Sequence, residues 1–320
     1  MVHVSQQGCK LWAIFLLHLF LQGLTTTLGF AVPARTSIKI PKSCPPVVIL
    51  PGFGNDAKDY INPLDAGEEK GFVSNLEKRG LQTFVVPVER KDWFNVAKAI
   101  FTPEFWSGTC TPNGPAYSWY LQKVRETVAE ARETSGSDKI ILMGHSAGGW
   151  LGRAAMGGGK WEEGVASEDV VAGLVTLGTP QFPGPMDMTR GALTYTDLQY
   201  PGAFLRDRGV FYVTVAGAAV EGDSEAERGS RERFAFGSYK TVCGAGAVMG
   251  DACVPLMSAH LDGAEQVTLD GVFHSVDRPD DWYGADPVVD CWLGTVLEGL
   301  RVRGEPPIIG LRALASLWGR

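Results

Sequence analysis

The sequence lacks any dense block of lysine and arginine. Its 29 basic residues are outnumbered by 36 acidic ones, which gives a formal net charge of -7. Because nucleic-acid-binding proteins concentrate positive charge on one surface, a nucleic acid is excluded as the expected partner. With 45% hydrophobic and 20% charged residues, the chain can bury a substantial core, and a mainly disordered protein is excluded as well.

Long apolar runs are also scarce. The longest, residues 11–21, is interrupted by His18 and has about half of the roughly 20 residues that a membrane-spanning helix needs. A multi-pass membrane protein is therefore excluded. Lys10 before this run and small or hydroxylated residues after it are typical of a signal peptide, and we interpret residues 1–35 as a presequence.

The second half of this presequence contains no acidic residue, and none follows before Asp56. The stretch GFAVP, residues 29–33, resembles the two-part plastid presequence of algae with secondary plastids. This resemblance implies a plastid destination. Ordinary entry into the secretory pathway or endoplasmic reticulum, with release from the cell, and a retained interfacial anchor are the alternatives.

Cysteines are few and show no metal-binding spacing. Removal of Cys9 with the presequence leaves five, and no C-x-x-C pair occurs, so neither a zinc site nor a redox motif is predicted. We expect small buried side chains with free thiols. A bridge between Cys243 and Cys253 is the alternative in an oxidising compartment.

From residue 45 onward, short β-branched runs alternate with stretches of helical periodicity. This alternation is typical of an α/β fold with a mostly parallel central sheet flanked by helices. It predicts a catalytic domain over residues 45–300, followed by a C-terminal tail at 301–320. Strands are predicted at 47–50, 82–86, 139–143, 170–177, 210–216 and 265–269, and helices at 71–79, 117–133 and 288–300.

Three segments match neither a strand nor a core helix. Residues 94–119 are rich in aromatics, and residues 181–204 are rich in proline, glycine and methionine. Because long irregular insertions in compact domains are usually functional or disordered, we interpret both as lid-like walls of an acyl pocket, with plain structural packing as the alternative. Residues 221–233 carry mixed charge and are expected to form a solvated loop.

The strongest local signal is a G-x-S-x-G motif formed by Gly144, Ser146 and Gly148. It lies between a predicted strand and a helical stretch, which is the context of a nucleophile elbow. So sharp a turn leaves no room for side chains two positions from the serine, and the glycines remove them. The helix N-terminus that follows offers free N–H groups to a developing anion. Ser146 is the predicted nucleophile.

A serine nucleophile needs a histidine base, and the chain has five histidines. His3 and His18 lie in the presequence, and His145 is expected to pack or to cap the elbow turn. His274 is favoured as the base because it follows the last predicted strand by a short loop. His260 precedes that strand and is interpreted as a structural or helix-start residue.

The base needs a carboxylate that orients it. Asp251 lies among small residues in a turn between the 210–216 strand and His274, which satisfies the chain order serine, aspartate, histidine. Asp223, in the charged run, and Asp270, four residues before His274, remain alternatives.

Two backbone N–H groups are expected to hold the oxyanion. Ala147, directly after the nucleophile, supplies one, and Phe53 in the loop after the first strand supplies the other. A simple glycine turn is the alternative interpretation of the Phe53 loop.

Five segments together resemble the lipase-type serine α/β-hydrolases. They are LPGFG (50–54), GHSAGGW (144–150), TLGTP (176–180), GDACVP (250–255) and DGVFHS (270–275). Residues 242–284 are most similar to a soluble plant and algal group related to glycosylphosphatidylinositol inositol-deacylases, and GDACVP also resembles lecithin:cholesterol acyltransferases. The resemblance implies hydrolysis of acyl-lipid esters by Ser146, Asp251 and His274 without metal or cofactor. Pro51-Gly52 in place of an HG motif, and Gln181 in place of a common histidine, make the broader lipase function the expectation.

The sequence thus predicts a serine carboxylic-ester hydrolase of lipase or esterase type. An acyltransferase or thioesterase with the same triad and a non-catalytic binding protein of hydrolase fold are the alternatives. The expected partner is an acyl lipid or another ester. Peripheral membrane contact is one interpretation of the tail, where Ile308, Leu311 and Trp318 fall near one helical face; docking on the domain or fraying is the other.

Overall fold

A parallel sheet forms the centre of the structure. The computed structural model describes residues 44–158, 161 and 164–301, so the predicted presequence and the predicted tail beyond Arg301 lie outside the described residues. Eight strands are described: β1 Val47–Leu50, β2 Thr83–Val85, β3 Ile140–His145, β4 Val171–Leu177, β5 Phe211–Ala218, β6 Val220–Glu221, β7 Met249–Gly250 and β8 Glu265–Asp270.

Six of these strands form one sheet in the order β2-β1-β3-β4-β5-β8, and every neighbouring pair is parallel. β6 and β7 form a separate antiparallel pair. The described α-helices are α1 Lys58–Ile61, α2 Phe72–Glu77, α3 Pro103–Ser107, α4 Ser118–Ser135, α5 Ala147–Gly157, α6 Ser167–Val170, α7 Ala192–Gln199, α8 Arg231–Cys243, α9 Leu256–Ala259 and α10 Asp286–Arg301.

The central strands are apolar because helices cover both faces of the sheet. All residues of β1, β3 and β4 are buried. Successive side chains point to opposite faces, so Ile49 and Met143 belong to the core cluster that contains α2 and α10. On the other face, Gly152 of α5 lies against Leu50 and Leu174.

Helix α10 shows how the pattern of the sequence determines packing. Its buried residues recur three and four positions apart, as expected for one face of a helix: Val288, Val289, Trp292, Leu293, Val296, Leu297 and Leu300. The indole N–H of Trp292 donates to the Tyr283 carbonyl oxygen at 2.9 Å, which joins this helix to the loop that carries the candidate site.

The sequence predicted the α/β class and the main strands and helices, with ends that differ by up to two residues. It was wrong about residues 181–204 as a segment without a core helix, because α7 lies there and buries Ala192, Leu193 and Thr196. Residues 94–119 are also more regular than expected, since they contain part of a 3-10 helix, Arg90–Phe101, and α3. Helices α3 and α7 are short, and the 3-10 helix has a period of three residues. None of them therefore shows the long α-helical periodicity by which helices are predicted from a sequence.

Two smaller expectations also need correction. The charged run 221–233 is not entirely a loop, because it begins at the end of β6 and α8 begins at Arg231. Ser230 caps that helix by accepting the Arg233 N–H. The alternative of a Cys243–Cys253 bridge is not realised, since both thiols are free.

Candidate active site

Ser146 occupies a strained turn between β3 and α5. Its φ of 52° and ψ of -126° lie outside the ordinary regions for a residue with a side chain. The turn is tight enough that a Cβ on Gly144 would lie 2.4 Å from the Gly149 Cα, and a Cβ on Gly148 would lie 2.1 Å from the Leu50 carbonyl oxygen. The two motif glycines are therefore required by space, as predicted.

The elbow requires one further glycine, Gly149, which lies outside the G-x-S-x-G motif. A Cβ on Gly149 would lie 2.0 Å from the Thr179 Oγ1. That hydroxyl donates to the Ser146 carbonyl oxygen at 2.8 Å, and so it ties the elbow to the loop after β4. In the sequence, the pair Gly148-Gly149 shortly after Ser146 was the feature that could have indicated this requirement.

Ser146, His274 and Asp251 form one hydrogen-bonded line. The Ser146 Oγ lies 2.9 Å from the His274 Nε2, and the His274 Nδ1 lies 2.7 Å from the Asp251 Oδ2. The backbone N–H of His274 also donates to the Asp251 carbonyl oxygen at 2.9 Å. An Nδ1–H that donates to a carboxylate leaves Nε2 free to accept the serine proton.

The Asp251 carboxylate is 1% exposed and accepts four hydrogen bonds. Its Oδ1 accepts from the backbone N–H groups of Cys253 at 2.9 Å and Val254 at 2.7 Å. Its Oδ2 accepts from His274 and from the Tyr283 hydroxyl, each at 2.7 Å. Both oxygens of the buried carboxylate therefore have fixed donors in place of water.

Sequence reasoning missed Tyr283. Burial and the charge of Asp251 raise the pKa of its phenol well above 10.0, so the hydroxyl keeps its proton and donates. It also accepts the Gly217 N–H at 2.8 Å, which fixes it to the end of β5. Tyr283 lies 32 residues from Asp251, and no local motif marks it.

The two other histidines that the structure describes, His145 and His260, have structural contacts. His145 is buried as expected; its Nδ1 lies 2.8 Å from the Tyr60 hydroxyl and its Nε2 lies 2.9 Å from the His274 carbonyl oxygen. Burial, and then the proximity of His274, hold the pKa of His145 well below 6.5. His260 follows α9 rather than beginning a helix, and its ring contacts the hydroxyls of Thr214 and Thr268.

The alternative acids lie elsewhere. Asp223 is exposed, and its side chain accepts the Glu225 N–H. Asp270 is the exposed last residue of β8 and pairs in register with Ala218. Within the described residues, the side-chain hydrogen bond of the His274 ring to a carboxylate is the one to Asp251.

The loop after β1 lies directly against the elbow. A Cβ on Gly52 would be 2.8 Å from the Ser146 Cβ, so the next residue, Phe53, lies in the loop that borders the predicted nucleophile. The structure also places Ala147 at the first position of α5. The roles of the Phe53 and Ala147 N–H groups as oxyanion donors stay predictions.

The 3-10 helix joins this loop to an exposed aromatic surface. The Phe53 ring packs edge-on against Trp93 with 5.0 Å between centroids, and the Trp93 indole donates to the Asn55 carbonyl oxygen at 3.0 Å. Side chains three apart eclipse each other in a 3-10 helix. The stripe of Trp93, Val96 and Ala99 is buried, whereas Phe94 and Ile100 on the neighbouring stripe are exposed.

That neighbouring surface contains large apolar side chains. Phe94 is 72% exposed, Phe101 90% and Trp106 54%, and the Trp106 indole donates to the Ile100 carbonyl oxygen at 2.8 Å. We call Phe94, Ile100, Phe101 and Trp106 the aromatic surface. Four exposed large apolar side chains within residues 94–106 favour an interaction or ligand-binding region in this segment.

The second insertion contacts the same surface. The Arg190 guanidinium donates from Nε to the Phe105 carbonyl oxygen at 2.9 Å and from Nη2 to the Trp106 carbonyl oxygen at 3.3 Å. It also lies 5.1 Å from the centre of the Phe105 ring. The two insertions are therefore linked to each other.

Comparisons with known proteins give structural similarity alone. No protein-family model matches the chain, and no curated protein matches its sequence significantly. EstA from Clostridium botulinum aligns at 14% identity over 82% of this chain and 91% of its own, with a TM-score of 0.38. The 2-hydroxy-6-oxo-6-phenylhexa-2,4-dienoate hydrolase from Rhodococcus sp. strain RHA1 aligns at 13% identity over 82% and 92%, with a TM-score of 0.42.

These similarities are weak, and the fold is established by the chain's own geometry. A mostly parallel sheet flanked by helices, with a serine on a strained strand-to-helix turn at the end of a central strand, is the α/β-hydrolase fold. Among the described residues, no group of three or more His, Cys, Asp or Glu side chains is arranged to hold a metal ion. No described helix is long and apolar enough to cross a membrane.

Proposed function

We propose that the protein is a serine carboxylic-ester hydrolase that acts on acyl lipids. The observation that carries the proposal is the line from Ser146 through His274 to Asp251, with contacts of 2.9 Å and 2.7 Å on a strained elbow. A nucleophile within hydrogen-bond reach of a base, which a third group orients, is the signature of covalent acyl transfer.

In the proposed reaction, the Ser146 Oγ bonds to the ester carbonyl carbon while its proton moves to the His274 Nε2. The carbonyl electron pair moves onto oxygen, and the N–H groups of Ala147 and Phe53 hold that anion. Collapse breaks the bond to the alcohol oxygen, which takes the proton from Nε2. Water then attacks the acyl-enzyme in the same way, releasing the acid and restoring the serine.

The aromatic surface favours acyl lipids over small polar esters. It belongs to the segment whose buried side packs against Phe53, so an apolar region borders the predicted oxyanion loop. Long acyl chains gain free energy when they leave water for such surroundings, by about 0.8 kcal/mol for each buried CH₂ group. Peripheral contact with a lipid surface is part of this proposal.

A plastid destination is a further proposal, supported by residues 29–33 and the preceding apolar run. Residues 1–45 fused to a fluorescent protein should direct it to the plastid of an alga with a secondary plastid. Fluorescence in the endoplasmic reticulum or the medium alone would instead favour secretory entry.

The proposed function is tested by labelling with a fluorophosphonate, which reacts with activated serines. The wild-type protein should be labelled and the Ser146→Ala protein should not. Both are then incubated with plastid and endoplasmic-reticulum lipid extracts, with mass spectrometry of fatty acids and lyso-lipids. We expect the wild type alone to consume one lipid class.

Each other outcome changes the proposal in a defined way. Labelling without lipid consumption would retain the serine chemistry and contradict the lipid substrate. Acyl groups found on an added lipid alcohol rather than as free acid would indicate an acyltransferase. Absence of labelling in the folded wild type would contradict catalysis and favour a binding protein.

A further inference from the structure

A buried chain of hydrogen bonds runs beside Ser146 and uses none of the three triad side chains. The Gly52 N–H donates to the Tyr60 hydroxyl oxygen at 2.9 Å, that hydroxyl lies 2.8 Å from the His145 Nδ1, and the His145 Nε2 lies 2.9 Å from the His274 carbonyl oxygen. Tyr60 is 0% exposed and His145 is 2% exposed, so water cannot substitute for these partners.

The chemistry of the two ends determines where every proton lies. A carbonyl oxygen only accepts, so the His145 Nε2 must carry a hydrogen. A neutral imidazole then has a bare Nδ1, which accepts the Tyr60 O–H, and the phenol oxygen accepts the Gly52 N–H. The bonds therefore all point one way, from Gly52 to His274.

The opposite arrangement leaves a buried group without a partner. If His145 carried both protons, its Nδ1–H and the Gly52 N–H would both point at the Tyr60 oxygen, and the Tyr60 hydrogen would lose its acceptor. An imidazolium would also lie against the His274 ring, whose centroid is 4.8 Å away. A buried polar group without a hydrogen-bond partner is destabilising.

We propose that Tyr60 and His145 are positioning residues that couple the predicted oxyanion loop to the predicted base. At one end, Gly52 precedes Phe53 and abuts the Ser146 Cβ. At the other, the His274 peptide is held on both sides, by Asp251 at its N–H and by His145 at its carbonyl oxygen. His145, the residue before the nucleophile, thus sets the distance between the predicted oxyanion loop and His274, with Tyr60 as the link to the loop.

The catalytic consequence rests on the proposed function, whereas the hydrogen bonds can be measured without it. In Ser146→Ala protein, nitrogen-15 NMR of the histidine rings should show His145 as the neutral Nε2–H tautomer at pH 7. In the double variant Ser146→Ala/Tyr60→Phe, hydrogen exchange of the Gly52 amide should be faster on the order of tenfold, since the amide loses its buried acceptor.

The catalytic part is tested with Ser146 intact. Tyr60→Phe and His145→Leu should lower the rate constant of fluorophosphonate labelling on the order of tenfold each, because small misplacements of reacting groups are costly. His145→Gln should recover part of the rate, since its amide offers both a donor and an acceptor. Should Tyr60→Phe fail to fold, the Gln and Leu pair at position 145 still decides the comparison.

Tyr212→Phe is the matched control. Tyr212 is also a buried tyrosine whose oxygen accepts a backbone N–H, from Leu205 at 3.2 Å, near the opposite end of the sheet. It should lower stability without changing the His145 tautomer, Gly52 exchange or labelling.

Three results would overturn the inference: an Nδ1–H tautomer at His145, unchanged Gly52 exchange in Tyr60→Phe, or equal labelling rates for His145→Gln and His145→Leu. Absence of labelling in the wild type would be a failure of the proposed function, and the tautomer and exchange results would still decide the hydrogen-bond chain.

Discussion

The buried charges of Asp251 and Arg153 are accommodated in opposite ways. Asp251 accepts four hydrogen bonds within 2.9 Å. Arg153, in α5, is 0% exposed, but its hydrogen bond goes from Nη2 to the Gln181 carbonyl oxygen. Its Nη1 lies 3.6 Å from Asp197, and its Nε and Nη1 have no hydrogen-bond partner among the described residues.

The difference shows that burial of a charge does not by itself mark an organised site. Desolvation lowers the pKa of Arg153 against the opposing effect of Asp197, so its surroundings work against the charge. The loop around Asp251 instead supplies two backbone donors and two side-chain donors in fixed directions. Dipoles fixed in advance are what an active site requires, and four variants test this comparison.

The largest effect is expected for Asp251→Asn. Both oxygens of Asp251 accept hydrogen bonds, but an asparagine amide has one oxygen and one NH₂ group. The NH₂ group would face hydrogen-bond donors, either the backbone N–H groups or those of His274 and Tyr283, and the orientation of His274 would be disturbed. We expect the labelling rate to fall on the order of 10⁴-fold, by analogy with the loss of a triad carboxylate elsewhere. Asp223→Asn, an exposed aspartate, is the control, and a comparable loss there would contradict the assignment.

Gly52→Ala tests whether the crowding at the site matters as much as its charges. The added Cβ would lie 2.8 Å from the Ser146 Cβ, so either the loop or the serine must move. We expect a fall on the order of 10²-fold in labelling rate. Gly294→Ala in α10, where a Cβ has open space, should leave the rate unchanged and raise the free energy of unfolding by about 0.5–1 kcal/mol. Equal rates for the two variants would refute the crowding argument.

The third prediction concerns pH. Among the described residues, the titratable groups that face His145 are Tyr60, His274 and, with 6.2 Å between ring centroids, Tyr283. Because the folded pKa of His145 lies well below 6.5, the unfolded chain binds a proton that the folded chain does not. Stability should therefore decrease as pH falls below about 6.5, by at most about 1.4 kcal/mol per pH unit for this proton.

Urea unfolding of wild type and His145→Gln between about pH 7.5 and about pH 5.5, roughly one unit either side of an ordinary histidine pKa, measures this effect. The variant should lose part of the slope. His260, whose pKa burial also lowers, contributes separately, and His260→Gln is the control. An identical slope in wild type and His145→Gln would show that His145 takes up its proton in the folded state.

The smallest effect is expected for Arg153→Met. Removal of one partner of an ion pair is strongly destabilising only when it leaves a buried charge without compensation. The Asp197 side chain is 27% exposed and lies 3.6 Å from Arg153, so water can solvate it in the variant. We expect the free energy of unfolding to stay within about 1 kcal/mol of wild type and labelling to be unchanged. A loss beyond about 3 kcal/mol would show that the pairing with Asp197 is stronger than its distance indicates.

The sequence was informative where the constraint is local. The motif glycines 144 and 148 follow from the steric demands of one turn, and the strand runs follow from burial on both faces. Loop order alone was enough to select His274 and Asp251 as candidates, and the structure brings them together with Ser146.

The partners that organise the site could not be found in this way. Tyr60 meets His145 across 85 residues, and Tyr283 meets Gly217 across 66. A buried tyrosine that packs and one that also donates to a carboxylate look alike in sequence. The short helix α7 was missed for a related reason, since its buried residues span barely one turn.

The wide sequence separation within the site has a consequence for folding kinetics. The His145 and His274 contact joins residues 129 apart, and that between Ser146 and His274 spans 128. Closing such long loops is entropically slow, so the central strands can collapse before residue 274 arrives. During refolding, the reactivity of Ser146 should therefore appear after the burial of tryptophan. During synthesis on the ribosome, Ser146 would not be activated until nearly all of this domain has been made.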